Sequence, residues 1–477
     1  MSSIPSVLPR SEPGILSPPF QATTVGMLAL ISILAFEQLA VATVMPVVAA
    51  ALEGATLYAA AFGVALAAGI VGMVLAGRWS DRAGPGPALW AGIAGFVLGV
   101  AAAGAAPSMP TLVIGRALQG FGGGLMAVAL YVVVGQHYPP NLHARIFAAF
   151  AGAWVVPAIV GPAIAGLITR QFGWRWVFLS AALLALPAAL LIWRGLARGL
   201  GQDQAVRASP AAGHAASAEP PAARAGLGPA TLAATSAGLL YAGGEPSATQ
   251  AALMLVALVG LALSAPRLLP VGTLRARPGL PTVIALRGLA AATFFAAEVF
   301  IPLMLTNERG LSPVQAGLVL TVGALGWSAG SWFQGRDTRP RGDAASVRLL
   351  RAGLAAITAG TLVVTLVLLP AVPLAVAVLG WALTGVGMGL VYPTLSVLTL
   401  RLAPAPEQGA ASSALQLADS LFAAVGLALA GALLAALQAG SPRMAYLAGF
   451  GVAAALSGVG LALAGRARRV GPMPAER

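Results

Sequence analysis

The sequence predicts an all-α integral membrane protein that consists of two related six-helix bundles with two extra helices between them. Three observations carry this prediction: the composition, the succession of apolar segments and a stretch that occurs twice. Hydrophobic residues make up 58% of the 477 residues, charged residues only 9%, and the mean hydropathy is +0.88. Ordinary soluble domains are about half apolar and about a quarter charged, so a soluble globular protein is excluded.

Apolar segments of about 20 residues or more, long enough to span a bilayer, occur along the whole chain. Two weaker ones, 227–243 and 250–266, lie between two groups of six. The total is 14 spans, or 12 if the weaker pair does not cross the membrane. The twelve strong spans cover residues 24–51, 57–77, 87–107, 111–135, 144–169, 173–195, 280–305, 313–334, 347–369, 372–400, 408–438 and 443–465.

The same map divides the chain into six parts. We expect a disordered cytoplasmic tail, a first six-helix bundle, a cytoplasmic linker, two extra helices with a basic loop, a second six-helix bundle and a second cytoplasmic tail. In that order their predicted bounds are 1–23, 24–198, 199–226, 227–279, 280–466 and 467–477.

Arginine placement predicts the orientation in the membrane. All 27 basic residues are Arg, and most fall in the tails, the linker and the loops on one side of the map, including Arg145, Arg287 and Arg401. Basic residues accumulate on cytoplasmic loops, so we expect both termini in the cytoplasm and the protein in the plasma membrane. The same rule accounts for the net charge of +13 without a nucleic-acid partner.

The lack of Cys and Lys removes several kinds of chemistry. The sequence contains neither residue, so disulfides, thiolate metal sites and Cys nucleophiles are excluded. The phosphate-binding G-x-x-x-x-G-K-[ST] loop is excluded as well because it requires Lys. The three His have no metal-ligand spacing. We therefore predict no enzyme activity, no catalytic residue, no metal site and no cofactor.

A stretch of eleven residues occurs once in each bundle. Residues 115–125 (GRALQGFGGGL) align with 380–390 (GWALTGVGMGL) at seven identical positions, four of them Gly. Each copy lies in the fourth span of its bundle. Six-span bundles that repeat in parallel are typical of transporters that rock around a central site.

Three further motifs stand out: 77–84 (GRWSDRAG), 116–122 (RALQGFG) and 152–166 (GAWVVPAIVGPAIAG). They resemble the loop between helices 2 and 3, the helix 4 motif and the antiporter-linked helix 5 motif of the major facilitator superfamily, specifically of its drug:proton antiporters with 12 or 14 helices. The chain departs from the family pattern at Pro85 and Gly86, which replace a basic pair, and at Ala165, which replaces a Gly.

The first motif is expected to form a cytoplasmic latch made of Gly77, Asp81, Arg82 and Gly84. Gly77 has no side chain, so a neighbouring helix can approach closely. The Asp81 carboxylate can accept hydrogen bonds from the N-terminus of a helix in the other bundle, where the helix dipole favours an anion. Gln334 stands at the matching position of the second bundle, so we expect that loop to tolerate mutation better.

Four charged residues lie inside predicted spans, where each costs about 2.5–3.5 kcal/mol on insertion scales. They are candidates for proton or substrate coupling: Glu37, Arg116, Glu298 and Asp419. Two alternatives stay open. Glu37 can pair with Arg116 instead of carrying a proton, and Asp419 can belong to a polar helix contact together with Gln416.

The helix 5 motif predicts a kinked span that packs closely on its neighbours, because two prolines remove backbone donors and three glycines leave room. Four polar side chains are candidates for lining a central cavity, and two aromatic residues lie at a similar depth. The helix 5 residues are Gly152, Pro157, Gly161, Pro162 and Gly166, the polar cavity candidates are Gln38, Gln119, Tyr131 and Tyr392, and the aromatic residues are Phe294 and Phe295.

The resemblance and the buried carboxylates together predict a secondary active transporter. It is expected to export a small amphiphilic molecule or drug in exchange for protons by alternating access, as a monomer in the lipid bilayer. One alternative is a proton symporter that takes up a metabolite. Another is an integral-membrane enzyme that modifies lipids, which would need clustered acids or His at the interface; the sequence contains no such cluster.

Overall fold

The computed structural model describes residues 14–54, 57–207, 227–241, 248–336, 342–438 and 440–468, and these residues form fifteen α-helices. The helices are α1 (Gln21–Ala51), α2 (Tyr58–Ala83), α3 (Pro85–Gly104), α4 (Met109–His137), α5 (Pro140–Gly152), α6 (Val155–Phe172), α7 (Arg175–Arg207), α8 (Leu227–Tyr241), α9 (Ala248–Leu268), α10 (Leu280–Arg309), α11 (Pro313–Gly335), α12 (Asp343–Thr365), α13 (Leu374–Leu402), α14 (Gln408–Gln438) and α15 (Pro442–Leu463).

Within these described residues, thirteen segments are long and apolar enough to cross a membrane. One of them, Pro140–Phe172, combines α5 and α6, and a shorter apolar segment, Leu227–Leu240, belongs to α8. The all-helical membrane architecture predicted from the sequence is therefore confirmed. The number of spans is thirteen by length and composition, with α8 as a fourteenth candidate.

The eleven-residue repeat lies at the same place in each half. Helix α4 packs between α2 and α3, and α13 packs in the same way between α11 and α12. A Cβ atom on Gly120 would overlap the carbonyl oxygen of Ala65 in α2, and one on Gly385 would overlap the carbonyl oxygen of Gly323 in α11. The repeated glycines therefore let equivalent helices touch through their backbones in both halves.

The two halves meet through two related pairs of helices. Helix α2 packs on α14, and α11 packs on α5. In each pair, the second helix of one half contacts the fifth span of the other. The α2 contact involves the C-terminal part of α2 and the first turns of α14, and we call this end of the molecule the latch end. In the part of the chain that the structure describes, α1 and α10 share no comparable contact.

The two extra helices cover the cleft between α2 and α14. Helix α8 packs along α2 and on α9, and both α8 and α9 also touch α14. The buried face of α8 is a stripe of four alanines at helical spacing: Ala230, Ala233, Ala234 and Ala237. The predicted span 227–243 is only weakly apolar because α8 packs through the small side chains of these alanines.

The fifth span, predicted as a kinked helix, is interrupted at Ala153 and Trp154, which keep right-handed helical angles between α5 and α6. Helix α5 ends at Gly152 and α6 begins at Val155. Pro157 has no N–H, so the carbonyl of Ala153 lacks its helical donor. The Ser32 hydroxyl of α1 donates a hydrogen bond to that carbonyl over 2.9 Å. A side chain from another helix thus stabilises the break.

The chain before α1 is partly packed, whereas the sequence predicts a disordered tail up to residue 23. Helix α1 already begins at Gln21, and the ring of Phe20 stacks on Tyr138 with 5.0 Å between centroids. The Thr24 hydroxyl donates a hydrogen bond to the carbonyl of Ile15 over 2.6 Å. These contacts explain why residues 14–20 are placed against the bundle. Helix α7 continues to Arg207, so the first part of the predicted linker, 199–226, is helical. Residues 1–13, the rest of that linker from 208 to 226 and residues 469–477 lie outside the described part of the chain.

Candidate functional site

The two halves are joined at the latch end by the carboxylate of Asp81. Its two oxygens accept hydrogen bonds from the backbone N–H groups of Gly409 over 2.6 Å and Ala410 over 2.8 Å. Both N–H groups belong to the first turn of α14, where N–H groups lack partners inside the helix and the dipole is positive. This is the kind of contact that the motif predicts for Asp81, and its partner lies 328 residues further along the chain.

The backbones of the two halves touch beside this carboxylate. A Cβ atom on Gly77 would lie 2.6 Å from the Cβ of Ser413 and 2.9 Å from the carbonyl oxygen of Gly409. A Cβ atom on Gly409 would in turn overlap the carbonyl oxygen of Gly77 and the Asp81 carboxylate. The Ser413 hydroxyl donates a hydrogen bond to the carbonyl of Met73 over 2.8 Å. Neither glycine has room for a side chain while the halves are docked.

The rest of the loop motif turns the chain. Gly84 separates α2 from α3 and has φ of 75°, a conformation that glycine adopts without strain. Arg82 is exposed in the last turn of α2, where a cation interacts favourably with the negative end of the helix dipole.

A second contact between the halves is made by a positively charged side chain, whereas the first is made by the Asp81 carboxylate. The Arg145 side chain of α5 donates from Nε to the carbonyl of Gly335, the last residue of α11, over 3.3 Å. A Cβ atom on Gly335 would lie 2.8 Å from the Cβ of Ala148. Gln334 forms its hydrogen bond with Thr394 inside the second half. Arg145 was predicted to be one of the loop arginines, and nothing in its local sequence distinguishes it from them.

The first buried ion pair joins Glu37 of α1 to Arg116 of α4. Both side chains are only 7% exposed. The Arg116 guanidinium also donates to the Gln119 side chain over 2.7 Å and to the carbonyl of Ala61 over 3.2 Å. Of the two states that the sequence left open for Glu37, the structure has the paired one. The pair connects α1, α2 and α4.

The second buried ion pair joins Arg287 of α10 to Asp419 of α14. The Nε atom of Arg287 lies 2.8 and 2.9 Å from the two carboxylate oxygens. The Tyr392 hydroxyl donates to Asp419 over 3.1 Å, and the Arg287 guanidinium carbon lies 3.5 Å from the centre of the Tyr392 ring. Asp419 therefore contacts two other helices, and no described hydrogen bond joins it to Gln416.

Arg287 does not lie in a cytoplasmic basic segment, so the placement predicted from the sequence is wrong. Arg287 lies seven residues inside α10 and is 3% exposed. Counting loop arginines assumes that every Arg near a span end lies in a loop. The predicted span 280–305 already contains Arg287. This position could have identified Arg287 as a residue inside a membrane helix.

Glu298 differs from the other two acids because it has no partner. It is half-buried in α10, and no hydrogen bond or ion pair joins it to any residue that the structure describes. One turn before it, the ring of Phe294 stacks on Trp381 with 4.7 Å between centroids and contacts Trp327 edge-on at 5.1 Å.

The remaining predicted cavity residues have different surroundings. Tyr131 is half-buried and packs on Phe147 at 4.8 Å between ring centroids. Phe295 is partly buried and contacts Phe294. Gln38 is exposed on α1. Gln119 and Tyr392 belong instead to the two ion-pair clusters.

The close packing predicted for the helix 5 motif is not seen among the described residues. A Cβ atom on Gly152 or Gly166 would meet no atom within 4 Å, and one on Gly161 would lie 3.6 Å from Phe36, an ordinary contact. Pro162 lies inside α6. Pro157 and Gly161 are buried in α6, which packs on α1, whereas Gly152 and Pro162 are exposed.

Two glycines, one at the docked interface and one in open space, give a matched test of the latch. We expect Gly409→Ala to weaken the docking by about 1–3 kcal/mol, the usual cost of forcing an atom into a packed interface. Gly152→Ala should change stability by less than about 0.5 kcal/mol. Thermal unfolding and transport of the two purified variants check this. Equal behaviour of the two variants would contradict the tight Gly77–Gly409 contact.

The chain is similar to several known proteins. A probable multidrug-efflux transporter of Mycobacterium tuberculosis (strain ATCC 25618 / H37Rv) is 29% identical over 346 residues, which cover 69% of this chain and 69% of the relative. The multidrug transporter protein MdtP of Bacillus subtilis (strain 168) is 26% identical over 351 residues, which cover 70% of this chain and 60% of that protein.

Solved structures show the same fold. The human organic anion transporter MFSD10 (TETRAN) superimposes with a TM-score of 0.66 at 16% identity, covering 94% of this chain and 99% of that one. The proton:xylose symporter XylE gives a TM-score of 0.61 at 15% identity, covering 92% and 94%. The sequence signature of the Major Facilitator Superfamily matches residues 27–426. The chain therefore belongs to the Major Facilitator Superfamily, a family of membrane transporters.

Proposed function

We propose that the protein is a secondary active transporter that exports amphiphilic molecules from the cell in exchange for protons. The observation that carries this proposal is the contact of Asp81 with the first turn of α14, which docks the two halves at the latch end. A hydrogen-bonded contact of this kind can break and re-form, as alternating access requires. The protein acts as a monomer in the plasma membrane, and its partners are a small-molecule substrate and protons.

The latch end faces the cytoplasm in this proposal. The distribution of arginine supports that orientation, since basic residues accumulate on the cytoplasmic side. The structure then corresponds to a state that is closed towards the cytoplasm. Export as the direction of transport is supported by the similarity to multidrug-efflux transporters at 29% and 26% identity.

The two buried ion pairs supply proton sites for the exchange. In each pair an acid on one helix binds an Arg on another, Glu37 with Arg116 and Asp419 with Arg287. Protonation of the acid removes one charge and leaves the Arg uncompensated, which is strongly unfavourable in a buried position. Proton binding therefore weakens the contact between the two helices that the pair joins. A protonated pair favours a different packing of these helices within their half of the protein.

Flux driven by an imposed pH gradient distinguishes antiport from symport. The probe is 4-(4-dimethylaminostyryl)-N-methylpyridinium, whose fixed charge prevents passive trapping as a weak base. In proteoliposomes with an acidic lumen, we expect the dye to accumulate inside as protons leave. Protein-free liposomes are the control. Accumulation only when the outside is acidic would establish symport instead, and equal flux without any gradient would refute coupling to protons.

A further inference from the structure

Six exposed arginines lie at the latch end of the second half, and we call them the basic cluster. Two precede α10, two lie in the first turns of α12 and two follow α15. The short segment after α15 contacts both α10 and α12, so these three helix ends are neighbours. The six residues are Arg275, Arg277, Arg348, Arg351, Arg466 and Arg468.

The segment after α15 joins the parts of the basic cluster. The N–H of Gly279 donates a hydrogen bond to the carbonyl of Arg466 over 2.9 Å, and the Arg466 guanidinium donates to the carbonyl of Ala276 over 3.5 Å. A Cβ atom on the neighbouring Gly465 would lie 3.1 Å from a guanidinium nitrogen of Arg351. The segment around Arg466 therefore lies between the loop before α10 and Arg351 of α12.

The loop before α10 holds its arginines in a fixed conformation. The Thr273 hydroxyl donates a hydrogen bond to the carbonyl of Pro270 over 2.7 Å, and the Thr282 hydroxyl donates to that of Ala276 over 2.9 Å. Ala276 has φ of 45°, which residues other than glycine rarely adopt. Ala276 is also 4% exposed, whereas the arginines on either side of it are exposed. The loop thus buries its middle and presents its positive charges outwards.

The basic cluster has no acidic partner in the part of the chain that the structure describes. No ion pair joins any of its arginines to a described Asp or Glu. Asp343, five residues before Arg348, pairs with Arg401 instead. Arginines that are held close together repel one another, and an anion bound among them removes that repulsion.

Apolar side chains beside the basic cluster indicate which anion fits. Val271 is 65% exposed and Leu274 is 56% exposed in the same loop, next to Arg275. At the boundary of a bilayer such side chains enter the acyl region. Arginines at that depth extend to the phosphate groups of the lipids. This combination favours a phospholipid over a free phosphate ion.

We propose that the basic cluster binds the headgroup of an anionic phospholipid in the leaflet at the latch end, with Arg351 and Arg466 on the phosphate and Val271 and Leu274 among the acyl chains. Guanidinium groups bind phosphate oxygens through paired hydrogen bonds, so the site is more selective than a diffuse positive surface. A zwitterionic lipid carries the same phosphate, but the arginines repel its positive group. The site is independent of the transported substrate and of the direction of transport.

Lipid titration of the full-length protein in detergent, followed by native mass spectrometry, tests the proposal. We expect the first dioleoylphosphatidylglycerol to bind the wild type at least about tenfold more tightly than dioleoylphosphatidylcholine. Arg351→Gln with Arg466→Gln should weaken phosphatidylglycerol binding at least about fivefold and leave phosphatidylcholine binding within about twofold. Excess inorganic phosphate should not displace the lipid.

Two further variants control for folding and for total charge. Arg351→Lys with Arg466→Lys keeps both charges and should still prefer phosphatidylglycerol. Arg170→Gln with Arg194→Gln removes two exposed arginines of the first half and should bind both lipids like the wild type. Equal binding of the two lipids to the wild type, equal losses in the two Gln variants, or displacement of the lipid by phosphate would each overturn the proposal.

Fluorescence quenching gives a second test that leaves every arginine in place. Because the chain has no Cys, Leu274→Cys accepts a single bimane label. In nanodiscs, phosphatidylglycerol with a spin label on its acyl chain should quench this label more strongly than phosphatidylcholine with the same spin label at equal mole fraction. Met444, 57% exposed at the opposite end of the second half, is the control position, where both lipids should quench equally. Equal quenching of the Leu274→Cys label by the two lipids would contradict the site.

Discussion

Replacing Asp81 with Asn should reduce transport at least about tenfold while the protein still inserts and folds. The Asn amide has one carbonyl oxygen and no charge, so it cannot reproduce the two hydrogen bonds to the first turn of α14. Hydrogen bonds to a charged group contribute about 1.5–3 kcal/mol, and about 1.4 kcal/mol corresponds to a factor of ten. Flux of the pyridinium dye per inserted molecule in proteoliposomes measures the effect.

The opening of the latch can be observed directly because the natural chain contains no Cys. Ser413 is 5% exposed at the docked interface. A Ser413→Cys variant should react slowly with a membrane-impermeant maleimide, and the additional Asp81→Asn substitution should raise the rate several-fold. Reaction at the same rate in both proteins would show that the carboxylate does not hold this end closed.

Asp343 provides the matched control for Asp81. It also lies at an end of a helix, in the first turn of α12, but it pairs with Arg401 of the same half. Asp343→Asn removes the same charge without changing a contact between the halves, so transport should stay within about twofold. Normal transport by well-inserted Asp81→Asn protein, or an equal loss in Asp343→Asn, would refute the latch.

Breaking the pair of Glu37 and Arg116 should have the largest effect on stability. Arg116→Gln leaves the Glu37 carboxylate buried without a counter-charge, and removing one partner of a buried pair costs about 3–5 kcal/mol. The double variant Glu37→Gln with Arg116→Gln removes both charges, and its stability should return to within about 1–2 kcal/mol of the wild type. Thermal unfolding in detergent measures the difference.

Transport measurements separate the structural role of the pair of Glu37 and Arg116 from its role in coupling transport to protons. The double variant should fold but remain inactive with a proton gradient, because it lacks Glu37, the proposed proton site of its first half. The pair of Glu308 and Arg443 at the end of α10 is the control. Arg443 is 57% exposed, and its replacement by Gln should change stability by less than about 1 kcal/mol. Proton-driven transport by the folded double variant would exclude Glu37 as a coupling site.

The latch shows which contacts the sequence can predict and which it cannot. Gly77 and Asp81 form a local polar motif between two apolar segments, so their role follows from nearby residues, although the structure places both in the last turns of α2 and not in the loop that the sequence predicts. Their partners, Gly409 and Ala410, carry no distinctive side chain and contact Asp81 only because the two halves dock. Arg145 is unpredictable for the same reason, since its acceptor is the end of a distant helix.

The buried charges show a second limit. Pairing of Glu37 with Arg116 was one of two arrangements consistent with the sequence, because the neighbours of a helix are set by its tertiary packing. Arg287 was assigned to a loop because it lies within two turns of a span end. The isolation of Glu298 is invisible to the sequence, since the lack of a partner depends on every helix around it.

The fifth span shows how a local rule and a distant side chain combine. Pro157 predicts an irregular helix wherever it occurs. The interruption at residues 153–154 also depends on the Ser32 hydroxyl, which reaches the Ala153 carbonyl from α1. The sequence thus locates the irregularity to within one turn but cannot predict its form.

The contact between Asp81 and the first turn of α14 determines how freely the residues on its two sides can be substituted. The α14 side contributes only backbone N–H groups to the Asp81 carboxylate, so these two hydrogen bonds require no side chain of α14 to be ordered, and that saves conformational entropy. Any residue except Pro can supply the N–H at position 410, whereas Gly409 must stay without a side chain. The two hydrogen bonds can therefore persist while the side chain at position 410 changes.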